Sequence, residues 1–168
     1  GFGRIGRLAF RQMFGAEGFE IVAINDLTSP KMLAHLLKYD STQGKYELAD
    51  KVSAGEDSIT VDGKEIKIYA KANAAELPWG EIGVDVVLEC TGFYTSKAKA
   101  QAHIDAGAKH VIISAPAGND LPTIVYNVNH TQLTKDDAII SAASCTTNCL
   151  APMAKALNDL APIKSGIM

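Results

Sequence analysis

Between Ser141 and Pro152 the chain reads Ser-Ala-Ala-Ser-Cys-Thr-Thr-Asn-Cys-Leu-Ala-Pro, which sets the thiol of Cys145 among hydroxyls. Leu150, Met153, Ala154, Leu157 and Leu160 then recur at helical spacing, so an amphipathic helix is expected from Thr147 to Leu160 with Cys145 at its amino end. Unpaired backbone N–H groups and the positive end of the peptide dipoles favour a thiolate there, the form that acts as a nucleophile. The same N–H groups, with the hydroxyls of Ser144, Thr146 and Thr147, suit a phosphate or a developing oxyanion. The competing reading makes the cysteine small core filler. The flanking hydroxyls are what raise the catalytic one. Cys149, one turn along, suggests a metal pair, but no second pair and no spaced histidine completes four ligands, so no metal is expected. Cys149, and Cys90 in the apolar run Val86-Val87-Leu88-Glu89-Cys90, are expected to be buried and structural.

The second chemical signal lies at the other end. Gly1-Phe2-Gly3-Arg4-Ile5-Gly6 fits G-x-G-x-x-G and opens a helical pattern through Ile5, Leu8, Ala9, Gln12 and Met13. Alone the motif is weak; it needs flanking strands and an acidic residue about twenty positions on. Glu20-Ile21-Val22-Ala23-Ile24-Asn25 is a strand pattern and Asp26 ends it. In this reading Gly1 makes the tight turn, Gly3 admits a pyrophosphate to the backbone, and Gly6 allows close helix packing. Asp26 would accept from a ribose 2′-hydroxyl and repel a 2′-phosphate, favouring NAD over NADP. Its alternative use, capping the helix that follows Pro30, is better served by Ser29. The strand that should precede the motif is missing, which makes the chain read as a fragment.

The elements that must hold these groups alternate between strand and helix patterns. Ser58–Val61 and Glu65–Tyr69 flank Asp62-Gly63-Lys64, a hairpin signal. Val84–Glu89 is a nearly continuous apolar run, expected to be a strand buried on both faces. A helix from Ser96 to Ala106, a strand over His110–Ser114, and further strands at Thr123–Tyr126 and Ala138–Ser141 complete the series. Such succession implies an α/β fold: a doubly wound, mostly parallel Rossmann-type sheet, its first strand missing, with a β-hairpin excursion. Ligands gather at the carboxyl ends of strands in such sheets, which is where Gly3, Asp26, Thr91-Gly92, Ser114 and Cys145 are expected.

Composition excludes other classes. The 168 residues are 47% hydrophobic and 21% charged, with net charge −3, so the chain can build a core but offers no basic field for nucleic acid or acidic lipid. Its apolar runs are too short to cross a bilayer. Three cysteines point to a reducing compartment, hence the cytoplasm.

Taken together, Gly1–Arg7, Ile24–Leu27, Leu36–Ser41, Glu89–Phe93 and Ser144–Pro152 resemble the amino-terminal half of the phosphorylating glyceraldehyde-3-phosphate dehydrogenases of bacterial type. The resemblance covers essentially the whole chain. It implies an NAD-binding domain over 1–144 and the opening helix of a truncated α+β catalytic domain over 145–168. It makes Cys145 the nucleophile that oxidises an aldehyde phosphate through a thiohemiacetal and a thioester, with inorganic phosphate releasing the product. Ser144 and Thr146 match residues beside the incoming phosphate. Gly1, Phe2, Gly3, Arg4, Ile5 and Gly6 match the pyrophosphate turn, Asp26 the ribose ligand, and Thr91, Gly92 and Ser114 the lining of the cofactor cleft. It also implies a glycolytic homotetramer. Erythrose-4-phosphate dehydrogenases share the cysteine segment, and a non-catalytic NAD-binding or surface-attachment role is a third reading. The chain departs from the family at Ala142, where an asparagine is common, and at Lys71, the nearest cation to a common arginine. The base histidine and the phosphate-gripping arginine match no residue up to Met168, and His35, His103, His110 and His130 are expected to be ordinary helix or strand-edge residues. Alone, the chain is expected to be unstable and inactive.

Overall fold

A computed structural model describes residues 1–167, which gather into two compact units. The first comprises Gly1–Val84 with Asp105–Gly107; the second comprises Asp85–Ile104 and the chain from Ala108 onward.

In the first unit, α1 (Arg4–Met13) grows straight from the glycine turn. Phe2 anchors that turn, buried edge-on against Phe10 with ring centroids 5.5 Å apart. Of the expected strand at 20–25, only β1 (Ala23–Asn25) forms. Helix α2 (Pro30–Lys38) begins with proline, whose missing N–H costs nothing in a first turn, and buries Leu33, Ala34 and Leu37. Ser29 is its N-cap residue but makes no side-chain capping bond. A short ribbon of β2 (Tyr39–Asp40) and β3 (Gly44–Lys45) precedes β4 (Val52–Ala54), β5 (Ser58–Val61) and β6 (Lys64–Tyr69). The expected hairpin joins β5 to β6 through Asp62 and Gly63, with φ of 48° and 81°, as a two-residue turn matched to strand twist requires. Strand β6 then lies parallel to β1, giving the order β1-β6-β5-β4 over a core of Leu33, Leu37, Ile59, Val61 and Ile66.

In the second unit, β7 (Val86–Glu89), β8 (His110–Ile113) and β9 (Ile139–Ser141) are parallel neighbours in that order. Helix α3 (Lys97–Asp105) separates β7 from β8 in sequence, and α4 (Cys145–Leu160) follows β9. The α/β, Rossmann-type class expected from the sequence is thus present. In that class the first strand stands between the second and the fourth. Among the described residues the runs β6-β1 and β7-β8-β9 each follow part of the order the class prescribes.

Three expectations are corrected. Strand β7 is not buried on both faces: Val86 is 46% exposed, whereas Val87 and Glu89 are buried, the alternation of a strand with one covered face. The strand expected at 123–126 shrinks to a single bridge between Thr123 and Ser141, because the Asn129 side chain takes Val125 N–H and Thr123 C=O, and Asn127 turns left-handed at φ 61°. Cys149 is exposed, since α4 buries no residue and its apolar stripe of Leu150, Met153, Leu157 and Leu160 is open. No helix among the described residues is long and apolar enough to cross a membrane.

Candidate active site

The sequence-selected residues fall into two groups, one in each unit. In the first, Gly3 is the N-cap of α1 with ordinary φ of −70°, and a Cβ built there meets nothing within 4 Å. The backbone is therefore open on the side an incoming group would use. No side chain caps α1, which leaves first-turn N–H groups of Arg4 and Ile5 for an external acceptor. Asp26 is tied directly to this turn: Phe2 N–H donates to Oδ2 at 2.7 Å and Thr28 N–H to Oδ1 at 2.9 Å. Burial pushes the carboxyl upward, but the bonds from Phe2 and Thr28 outweigh it and hold Asp26 below its ordinary range. The Thr28 hydroxyl also bonds this carboxylate, so about one of its four lone-pair positions stays open to an outside donor. Arg7 braces the turn from inside, its guanidinium donating to Phe2 C=O at 2.9 Å.

In the second unit, strand register aligns the remaining candidates. Glu89 pairs with Ile113 and Ile113 with Ser141, so Thr91, Ser114 and the approach to Cys145 leave the sheet from the same edge. Ser114 N–H donates to Glu89 C=O at 3.0 Å and Ala142 N–H to Ile113 C=O at 2.8 Å. Cys90 is half-buried; burial pushes its thiol upward despite a bond with the Ser114 hydroxyl, the condition of an inert thiol.

Cys145 is exposed and opens α4. The helix begins two residues before the expected Thr147 because Ser144 caps it, its Oγ accepting from Thr147 N–H at 3.0 Å. The hydroxyls of Thr146 and Thr147 lie 2.9 Å and 2.7 Å from that same Oγ. Asn148 N–H likewise bonds Ser144 C=O. First-turn N–H groups of Cys145 and Thr146 keep the orphan status of any helix start. The turn ahead is held under strain: Ala143 is left-handed at φ 63°, which costs a residue with a Cβ about 1–2 kcal/mol.

Two residues that the sequence did not single out, Ser141 and Asn148, hold this turn, and a third, His103, acts elsewhere. Ser141 is fully buried, donates to Ala115 C=O at 2.7 Å and accepts from Ala143 N–H at 3.0 Å. Asn148 donates from Nδ2 to Ala142 C=O at 2.7 Å and to Ser144 C=O at 2.9 Å, pinning both sides of Ala143. His103, expected to be an ordinary helix residue, is instead buried beside Glu89. Asn148 carried a signal, an amide one turn after a capping serine; Ser141 and His103 carried none, since their partners are remote in sequence.

A glycine turn tied to an acidic strand end, and a capped cysteine helix following a parallel strand, are the arrangement of a Rossmann-type domain that leads into an exposed thiol at a helix start. Comparison with known proteins places it. Residues 1–97 match the family described as glyceraldehyde 3-phosphate dehydrogenase, NAD binding domain, and residues 144–168 match glyceraldehyde 3-phosphate dehydrogenase, C-terminal domain. The whole chain is 61% identical over 168 residues to a glyceraldehyde-3-phosphate dehydrogenase of Clostridium pasteurianum, covering 50% of that protein. It is 64% identical over 173 residues to one of Lactobacillus delbrueckii subsp. bulgaricus, covering 51%, and 53% identical over 169 residues to one of Streptococcus pyogenes, covering 50%. The chain belongs to the glyceraldehyde-3-phosphate dehydrogenase family, and NAD is the cofactor of its nucleotide-binding domain. It spans about half the length of the curated relatives it matches.

Proposed function

We propose that the full-length protein is an NAD-dependent, phosphorylating oxidoreductase that converts D-glyceraldehyde 3-phosphate and inorganic phosphate to 1,3-bisphosphoglycerate in glycolysis. The observation that carries this reading is the exposed Cys145 at the first position of a side-chain-capped helix, within a chain whose curated relatives bear that enzyme's name. Residues 1–144 serve as the NAD-binding domain and 145–168 as the start of the catalytic one. The free thiols suit a reducing cytoplasm, and a homotetramer is the assembly we assign.

The residues fit the cofactor. Asp26 keeps a lone pair for a ribose hydroxyl, and the open face at Gly3 with the N–H groups of Arg4 and Ile5 suits a pyrophosphate. When bound, the nicotinamide ring supplies the hydride acceptor. The Cys145 thiolate adds to the aldehyde carbon, forming a C–S bond and a thiohemiacetal whose oxyanion is met by the N–H groups at the start of α4. Loss of hydride from that carbon leaves an acyl group on sulfur. A thioester is reactive enough for phosphate to attack, which an oxygen ester is not. Ser144 and Thr146 flank Cys145 in the chain, their hydroxyl oxygens 2.9 Å apart, and we assign them to orienting that phosphate. Attack breaks the C–S bond, returns the Cys145 thiolate and releases the acyl phosphate.

The test is Cys145→Ser in the full-length protein, with NADH formation followed by absorbance and NAD binding followed separately. Turnover should fall about 10⁴-fold or more while NAD affinity is kept. Turnover that persists in the variant rejects the assigned nucleophile.

A further inference from the structure

Glu89 ends β7 with its carboxylate turned into the protein, 2% exposed, and His103 of α3 is 4% exposed beside it. Glu89 Oε2 stands 2.9 Å from His103 Nε2. An ionised carboxylate only accepts, so that nitrogen carries the proton. Burial pushes the Glu89 carboxyl upward, but the bonds from His103 and Thr91 outweigh it and keep it below its ordinary range. The other oxygen, Oε1, accepts from both Thr91 N–H at 2.6 Å and the Thr91 hydroxyl. Having given its one hydrogen to Glu89, that hydroxyl accepts from Phe93 N–H at 3.0 Å. The Tyr94 ring packs at a tilt of 60° against the same histidine, centroids 5.1 Å apart. One chain of bonds therefore runs from α3 through the end of β7 into Thr91-Gly92-Phe93. At its tip Gly92 has φ of 80° and faces open space.

We propose that Glu89, seated by His103, is a positioning residue for the cofactor: it holds the Thr91–Phe93 turn so that the Thr91 carbonyl and the Gly92 backbone, and not the Thr91 hydroxyl, meet the dinucleotide. This rests on the NAD-dependent reading given above. It differs from a purely stabilising buried pair, which would alter the folded fraction but not the affinity of the folded protein.

The experiment is a double-mutant cycle on Glu89→Ala and Thr91→Val in the full-length protein, reading NAD affinity by calorimetry, KM for NAD and for the aldehyde, kcat, and Tm. Each single variant should weaken NAD about tenfold, about 1.4 kcal/mol, with KM for the aldehyde unchanged. The double variant should be no worse than either single one, since both break one chain of bonds. Glu89→Gln should stay within about threefold, because its oxygen still serves Thr91 and its amide can meet His103 in the other tautomer. If Glu89→Ala does not fold, Glu89→Asp, whose shorter carboxylate draws back from Thr91, takes its place in the cycle. Additive losses would mean that the Thr91 hydroxyl touches the cofactor itself and would overturn the proposal. So would unchanged NAD affinity accompanied by a lower Tm. A wild-type protein that binds no NAD would instead reject the dehydrogenase reading, which separates the two failures.

Discussion

The turn before α1 and the turn before α4 each deliver the chain into a helix amino terminus, yet they treat the same orphan N–H groups in opposite ways. At α1 the N-cap is Gly3, with relaxed φ, no side chain and open space in front, so the helix start is left bare. At α4 the N-cap is Ser144, which satisfies Thr147 N–H itself, while Ala143 behind it is strained and clamped by Ser141 and Asn148. A bare terminus is built to receive an anion from outside. A capped one is rigid, and what it presents is the side chain at its first position, Cys145. The two helix starts thus differ in whether the cap residue has a side chain, and the function proposed above gives them different uses.

Removing the bareness should produce the largest effect. Gly3→Val closes the open face while its Cβ meets no atom of the chain, so we expect NAD affinity to fall about a hundredfold with only the small loss in Tm that a poorer N-cap residue brings. Calorimetric titration beside thermal melting reads both; a variant that binds NAD normally would erase the distinction between the turns. Changes at α4 should show the reverse pattern. Ala143→Val worsens the left-handed conformation and should destabilise by about 2 kcal/mol in urea unfolding, and Ser144→Ala should cost about 1 kcal/mol through the lost cap. Both should also slow iodoacetate labelling of Cys145 while leaving NAD binding intact. Equal losses of NAD binding would show that the two turns are not independent.

The smallest effect concerns pH. Asp26 has a depressed folded value, so its tie to Phe2 contributes stability that is complete above the ordinary aspartate range and is lost as pH falls through that folded value. NAD affinity measured down an acid series should decline in that window, and Asp26→Asn should flatten the decline. A decline that survives in Asp26→Asn would assign it to another group.

Much of this was legible in the chain. The glycine turn, Asp26, the β5–β6 hairpin and the helix after Cys145 were all local patterns, and short-range chemistry dictates them: Asp-Gly for a tight hairpin, proline after serine for a helix start, hydroxyls before an apolar stripe. Element ends were less legible. The run at Thr123–Tyr126 has strand composition, but Asn129 competes for its backbone and reduces it to one bridge. The exposure of Cys149 was misread because an amphipathic pattern tells which residues share a face and not what covers it.

By itself the sequence determined the types of chemistry present and the order of elements, since both follow from side-chain identity and from spacing along the chain. Only the tertiary structure decided that Phe2 hangs from Asp26, that Ala143 is strained between Ser141 and Asn148, and that His103 pairs with Glu89 behind Thr91. Those bonds depend on strand register and burial. No periodicity records which residues remote in sequence will meet once the sheet has formed.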